Sequence, residues 1–325
     1  RAKACDLARG LLPLATATNM GVYGNGRAFE YLLTNLLHSP LVEVRTIARL
    51  LDENLKMIIS AFVKRATNER GEKYRAYLSA AEAGVRSAIG SNGITVAKSE
   101  ICVTLLDCDP QPVETMIASV LYARSAMSYD DALQKARAMP ANEKEKILDA
   151  LFSSRENRHH KPGRECEYPY FTFDVVADWG VYKDLMRHRM LTRHHQLFTN
   201  EHGYWMPEEI KVSEFAEEYR SAMDAACAAY DTIKGDFPNE AQYLVTHGSY
   251  NRFMMRMNLR EVMHMAELRA SPQGHTTYRK VAQELVKRVA EKFPILEKYV
   301  FRFVDFADYE LERLDAFRKI AKKAE

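Results

Sequence analysis

The stretch "DLMRHRMLTRHHQLFTNEHGY", residues 184 to 204, sets Arg187, Arg189 and Arg193 among His188, His194, His195 and His202. A guanidinium is a permanent cation with a planar fork of donors, and imidazole gives or takes a proton near neutral pH. Together such groups suit two tasks: gripping a phosphate, or stabilising a ring on which negative charge gathers. Arg187, His188 and Arg189 follow "VYKDLM" and read as a helix end, where cations meet exposed carbonyls. If the chain stays helical there, Arg187 and Arg189 point apart. If it is extended they share a side and clamp an anion while His188 faces elsewhere. A solvated basic turn is the plain alternative.

A second set lies far along the chain. Arg260, His264 and Leu268 are four residues apart and form one stripe of a helix, and Arg27 with Tyr31 repeats that spacing. Donors beside an apolar face suit a planar ligand with polar edges, although an arginine with ordinary helix partners has the same spacing.

Other chemistries find less support. Six of the ten histidines lie between His159 and His202, yet none falls into an H-E-x-x-H or other metal-ligand spacing, so no metal is expected. There is no G-x-S-x-G, and "GVYGNG" lacks the strand and lysine of a phosphate loop. Five cysteines without a C-x-x-C pair point to free thiols and a cytoplasmic setting. For nucleic acid, "RENRHHKPGR" and "RHRMLTRHH" offer phosphate contacts, and Tyr168, Tyr170, Phe171 and Phe173 offer stacking surfaces. The strand-like alternation of those aromatics would bury some of them, and a net charge of +2 gives no global field toward polyanions or lipid. Neither a nucleic-acid partner nor a membrane is expected, since the uncharged run from Gly10 is broken by Pro13 and glycines.

The elements that must position these residues are mostly helical. With 47% hydrophobic residues over 325 positions the chain can bury a substantial core. Periodicity gives a helical hairpin over 27–64, with Pro40 opening its second helix, then a polar linker at 66–76. Strand signals occupy 94–108 and "YPYFTFDVVADWG". Helices are expected at 112–126, 129–152, 252–270 and 276–290, and in the long segment capped by Ser213. The class is α+β. "NGRAFEYLLTNLLHSP" and "NLREVMHMAELRASP" share Asn-x-Arg, an apolar helix and Ser-Pro, which indicates an internal duplication.

At this point "YFTFDVVADWGVYKDLMRHRMLT" resembles the strand, short helix and R-H-R segment of the flavin-dependent thymidylate synthases, the ThyX family. Asn258, Arg260, Leu268 and Arg269 are similar to that family's later flavin and nucleotide segment. The resemblance implies a ThyX-like α+β fold, internally duplicated: residues 1–75 as the rear half of a first unit, its front half preceding Arg1, and 76–325 as a complete but degenerate second unit. It also implies an FAD enzyme that converts dUMP to dTMP with methylenetetrahydrofolate and NADPH, within a homo-oligomer that forms a pseudo-tetramer of such units. By position, Arg187, His188, Arg189, Asn258, Arg260 and His264 would contact flavin, as would Asn25 and Arg27 in the first unit, while Arg9 and Arg269 would face the nucleotide. The catalytic residues stay unassigned. After R-H-R, the places of the family's nucleotide-positioning residues hold Thr192, His194, His195, Leu197 and Thr199; Gln242 replaces an arginine, and a G-H-x-S-x-x-E-H stretch is reduced to Glu167. A catalytically inactive ThyX-like scaffold or flavin-binding half is therefore the alternative.

Overall fold

The computed structural model describes residues 2–90, 100–308 and 318. Two compact units emerge: Arg1–Leu14, Ala97–Tyr230 and Leu244–Glu325 form one, Ala15–Val96 and Asp231–Tyr243 the other. Each is taken by itself. The division expected at 75/76 falls inside the helix Glu69–Ile89. The expected linker at 66–76 is a helical corner instead, because Asn68 ends the helix Val42–Thr67 and its side chain accepts from Gly71 N to start the next.

The first unit is built on a four-stranded antiparallel sheet: β1 (Cys102–Cys108), β2 (Tyr170–Asp178), β3 (Leu191–His195) and β4 (Tyr250–Asn258), in the order β1-β2-β4-β3. Phe171, Phe173 and Val175 of β2 and Phe253, Met255 and Met257 of β4 are buried on one face. Against them pack helices Pro112–Arg124, Leu259–Arg269 and Thr276–Lys292 through Met116, Val262, Met263, Val281 and Leu285. This is the α+β class expected, mostly helical with a small antiparallel sheet.

Two expected elements need correction. Residues 252–270 are not one helix: β4 runs to Asn258 and the helix begins at Leu259. Methionine and arginine favour helix, so "RFMMRMN" hides its period of two. Burying Phe253, Met255 and Met257 in the sheet decides the matter, with Arg252, Met254 and Arg256 on the opposite, open face. Residues 129–152 form two helices, Tyr129–Ala138 and Ala141–Phe152, because Pro140 cannot continue the first. Ser213 starts a turn, its hydroxyl accepting from Phe215 N, and the long helix runs Ala216–Ile233. Residues 94–99 of the expected first strand and most of the C-terminal "RKIAKKAE" lie outside the described residues.

The second unit holds the expected hairpin, Gly26–His38 and Val42–Thr67, followed by Glu69–Ile89. Leu33, Val63 and Ala66 are its buried core, flanked by Phe29, Leu51, Leu55 and Ile59. The second helix starts at Val42, two residues after Pro40, and Arg45 closes the corner by donating to the carbonyls of Ser39 and Pro40, at 2.7 Å each.

Candidate functional site

Two strand-to-helix junctions of the first unit build the site. At the end of β2, Asp178 caps the helix Trp179–Leu185, its Oδ1 accepting from Val181 N at 3.0 Å. That helix stops in a turn in which Met186 N donates to Tyr182 O and His188 N to Leu185 O. At the end of β4, Asn258 caps Leu259–Arg269, accepting from Glu261 N at 2.9 Å. The register Leu191↔Met257 between β3 and β4 then brings the R-H-R turn alongside the Asn258 cap.

A cavity of about 470 Å³ opens between them, within the ~300–1,000 Å³ usual for small-molecule sites. Its lining includes Arg187, His188, Arg189, Asn258, Arg260, His264 and Arg269. The turn is thus neither helical nor a strand, and all three R-H-R residues line one wall. Arg260 forms an ion pair with Glu167. Arg158, Lys161 and Arg189 also line the cavity and make no hydrogen bond or ion pair among the described residues, although Arg158 acts on the Glu267 carboxylate of the same lining. His188 is buried: its Nδ1 lies 2.6 Å from Glu261 Oε1, and its Nε2 accepts from Arg269 Nε at 3.1 Å. His264 stands 5.5 Å from the His188 ring. Burial holds the His264 pKa below its ordinary value; the Glu261 carboxylate opposes this, and His188, Lys161 and Arg158 reinforce it.

A second cavity, about 290 Å³, shares Arg187 and Arg269 with the first. Arg9, Lys183, Trp205, His247 and His275 line it, with Asp6, Asp178 and Asp184 as the acidic side. Arg9 pairs with Asp6 at 2.9 Å. His247 stacks on Trp179 at 4.6 Å, and burial, helped by the charges of Lys183 and Arg9, lowers its pKa to about 4. Asp178 is pushed above the ordinary carboxylate range by burial, with His275 and the Thr277 hydroxyl pulling the other way.

Asn25 and Arg27, expected in a first ThyX-like unit, belong to the helical compact unit of Ala15–Val96 and Asp231–Tyr243. Asn25 caps its helix as Asn258 does, accepting from Ala28 N at 2.9 Å. Arg27 pairs with Glu30 at 3.1 Å and lines, with Tyr31, Arg65, Arg70 and Tyr74, a cavity of about 380 Å³. In both Asn-x-Arg segments the asparagine carbonyl accepts one hydrogen bond from its helix, which leaves the amide nitrogen and one lone pair for a ligand. Thr192, His194, His195, Leu197 and Thr199 line neither cavity of the first unit, and the His195 ring stacks on Phe198 at 5.0 Å.

Sequence reasoning did not single out Arg158, Lys161, Lys183 or Glu261. The first two sit in the basic loop "RENRHHKPGR", and Glu261 is the third residue of a capped helix, where an acid usually turns back to the cap. Phe171 and Phe173 are fully buried in the core and cannot stack on bases, whereas Tyr168 and Tyr170 are exposed. Among the described residues no cluster of three or more His, Cys, Asp or Glu is placed to hold a metal, and no helix is long and apolar enough to cross a membrane.

The family model for "Thymidylate synthase complementing protein" matches residues 104–295, more than half of the chain and the whole of both junctions. The chain belongs to that family. It is also 38% identical to a UPF0159 protein of Chlamydia pneumoniae, over 97% of this chain and 60% of that protein. A UPF0159 protein of Chlamydia muridarum is 37% identical, again over 97% of this chain and 60% of the relative. The chain thus spans about 60% of the length of these relatives. Among solved structures, a UMP/dUMP methylase, PolB, from Streptomyces cacaoi bound with 5-Br dUMP aligns with a TM-score of 0.48 and 18% identity, covering 63% of this chain and 96% of that one.

Proposed function

We propose that the sheet-bearing unit, Arg1–Leu14, Ala97–Tyr230 and Leu244–Glu325, is the flavin-binding part of a thymidylate synthase of the flavin-dependent kind, acting on dUMP with methylenetetrahydrofolate and NADPH. The observation that carries this reading is convergence: residues as far apart in sequence as 9, 187–189 and 258–269 line two cavities that share the walls Arg187 and Arg269. Cavities that share Arg187 and Arg269 would set two ligands next to each other, as transfer of a hydride and a one-carbon unit to a nucleotide requires.

The larger cavity suits FAD by the chemistry of its donors. Arg158, Lys161 and Arg189 bring positive charge for a pyrophosphate, and Arg187 and Arg260 add the cationic edge that an electron-rich ring needs. When bound, FAD would supply the hydride chemistry. In the smaller cavity Arg9, Lys183 and Arg269 would take the nucleotide phosphate. His247, neutral at physiological pH and stacked on Trp179, offers a flat partner beside it. The cavity of Arg27 and Tyr31 in the second unit is read as part of a second flavin site, in a pseudo-tetrameric assembly of such units.

One observation favours a narrower role. Thr192, His194 and His195 stand where the family places nucleotide-positioning residues and line neither cavity, which favours a unit that binds flavin without acting by itself on dUMP. The test is tritium release from 5-tritiated dUMP with NADPH and methylenetetrahydrofolate, run on this chain and on the longest polypeptide that carries it. Release by either, abolished in Arg269→Ala, supports the synthase. Flavin binding with no release by either leaves the scaffold reading, and absence of both overturns the assignment.

A further inference from the structure

Arg269, which lines both cavities as Arg187 does, is held by a buried chain of hydrogen bonds. Its Nε donates to His188 Nε2 at 3.1 Å and its terminal nitrogen donates to Asp184 O at 2.7 Å. Arginine carries only donors, so His188 Nε2 must be bare. The one remaining ring proton then sits on Nδ1 and is donated to Glu261 Oε1, 2.6 Å away. A proton on Nε2 would set two N–H groups against each other and release the guanidinium. His188 and Glu261 are 5% and 6% exposed, too buried for water to compete for these bonds.

Glu261 is diverted from a commoner task. As the third helical residue after the Asn258 cap, it would ordinarily reach back to the cap's own N–H. Here the carboxylate turns inward to His188, while the helix start favours its negative charge. The charged and titratable groups facing the imidazole are Arg269 and Glu261 in direct contact and His264 across 5.5 Å, with Arg158 and Lys161 on the same cavity wall.

We infer that Glu261 is a positioning residue: it fixes His188 in its Nδ1-protonated tautomer, and through that ring fixes Arg269 as the shared wall between the flavin and nucleotide cavities. His188 lines the larger cavity, and both of its ring nitrogens are taken up by Glu261 and Arg269. The inference rests on the function proposed above for the two cavities, and its test separates the two.

The experiment uses the whole chain labelled with ¹⁵N-histidine, with the His188 signals assigned by Glu261-independent comparison to His188→Gln. The native ring should carry its proton on Nδ1, with Nε2 bare toward Arg269. Glu261→Gln, whose amide oxygen still accepts, should keep it, and Glu261→Ala should give a mixture of tautomers. In parallel, binding of dUMP and of FAD is measured: Glu261→Ala should weaken dUMP about tenfold or more, the worth of one charge-assisted hydrogen bond, with Glu261→Gln restoring most of it. A native ring protonated on Nε2, or an alanine variant that binds dUMP as the native chain does, overturns the inference. If the native chain binds neither ligand, the proposed function fails, and the tautomer of His188 still decides whether Glu261 sets it.

Discussion

Arg155 and Glu267 form a buried ion pair that ties the basic loop to the helix carrying Arg260, His264 and Arg269. One guanidinium nitrogen meets both carboxylate oxygens at 2.9 Å, the Nε donates to His160 O at 2.5 Å, and each residue is 4% exposed. Arg155→Ala strands the Glu267 carboxylate without its partner, and breaking a buried pair on one side costs about 3–5 kcal/mol. For a domain of roughly 150–250 residues that is a fall in Tm of about 6–20 °C. Replacing both partners with apolar residues, Arg155→Met with Glu267→Leu, should recover most of the loss because no charge is left buried. The pH dependence has a definite sign. Burial raises the Glu267 pKa and Arg155 opposes that rise, so the folded state keeps this proton where the unfolded chain has released it, and acidification recovers stability in Arg155→Ala. Thermal and urea unfolding followed by circular dichroism at several pH values measures all of this. An Arg155→Ala variant within about 0.5 kcal/mol of the native chain, or a double variant no more stable than the single one, would refute the reasoning.

Two further outcomes are expected. Asn258→Ala and Asn25→Ala each remove a helix cap and should cost about 0.5–2 kcal/mol in unfolding experiments, while the aspartate variants, which keep the acceptor, should cost far less. His247 has a folded pKa of about 4 against 6.5 for the free group, so its contribution is present above 6.5 and is lost as pH falls toward 4. His247→Gln should flatten the stability profile across that window, and an unchanged slope would show that another group carries it.

The candidate site was legible where residue type and spacing speak together. The stripe of Arg260, His264 and Leu268 does line one cavity, as the four-residue spacing required. The fold was legible where alternation was clear, as in β2, and hidden where side chains with helix preference fill a strand, as the methionines of β4 do. Arg155 and Glu267 are 112 positions apart, and their pairing, like that of His188 with Glu261, is a product of packing that no local spacing announces. The asparagines of Asn-x-Arg illustrate a third case. The motif is legible in the sequence, yet the first duty of its asparagine is to cap a helix.

In the proposed function the cations gathered around the larger cavity hold flavin. The direct measurement is FAD retention: the purified chain is saturated with FAD, passed through a desalting column, and its visible absorbance compared with that of the Arg187→Ala, Arg260→Ala double variant. The native chain should emerge with the absorbance of oxidised flavin and the variant with little of it. A colourless native chain, or a double variant that keeps as much flavin as the native one, would contradict the claim.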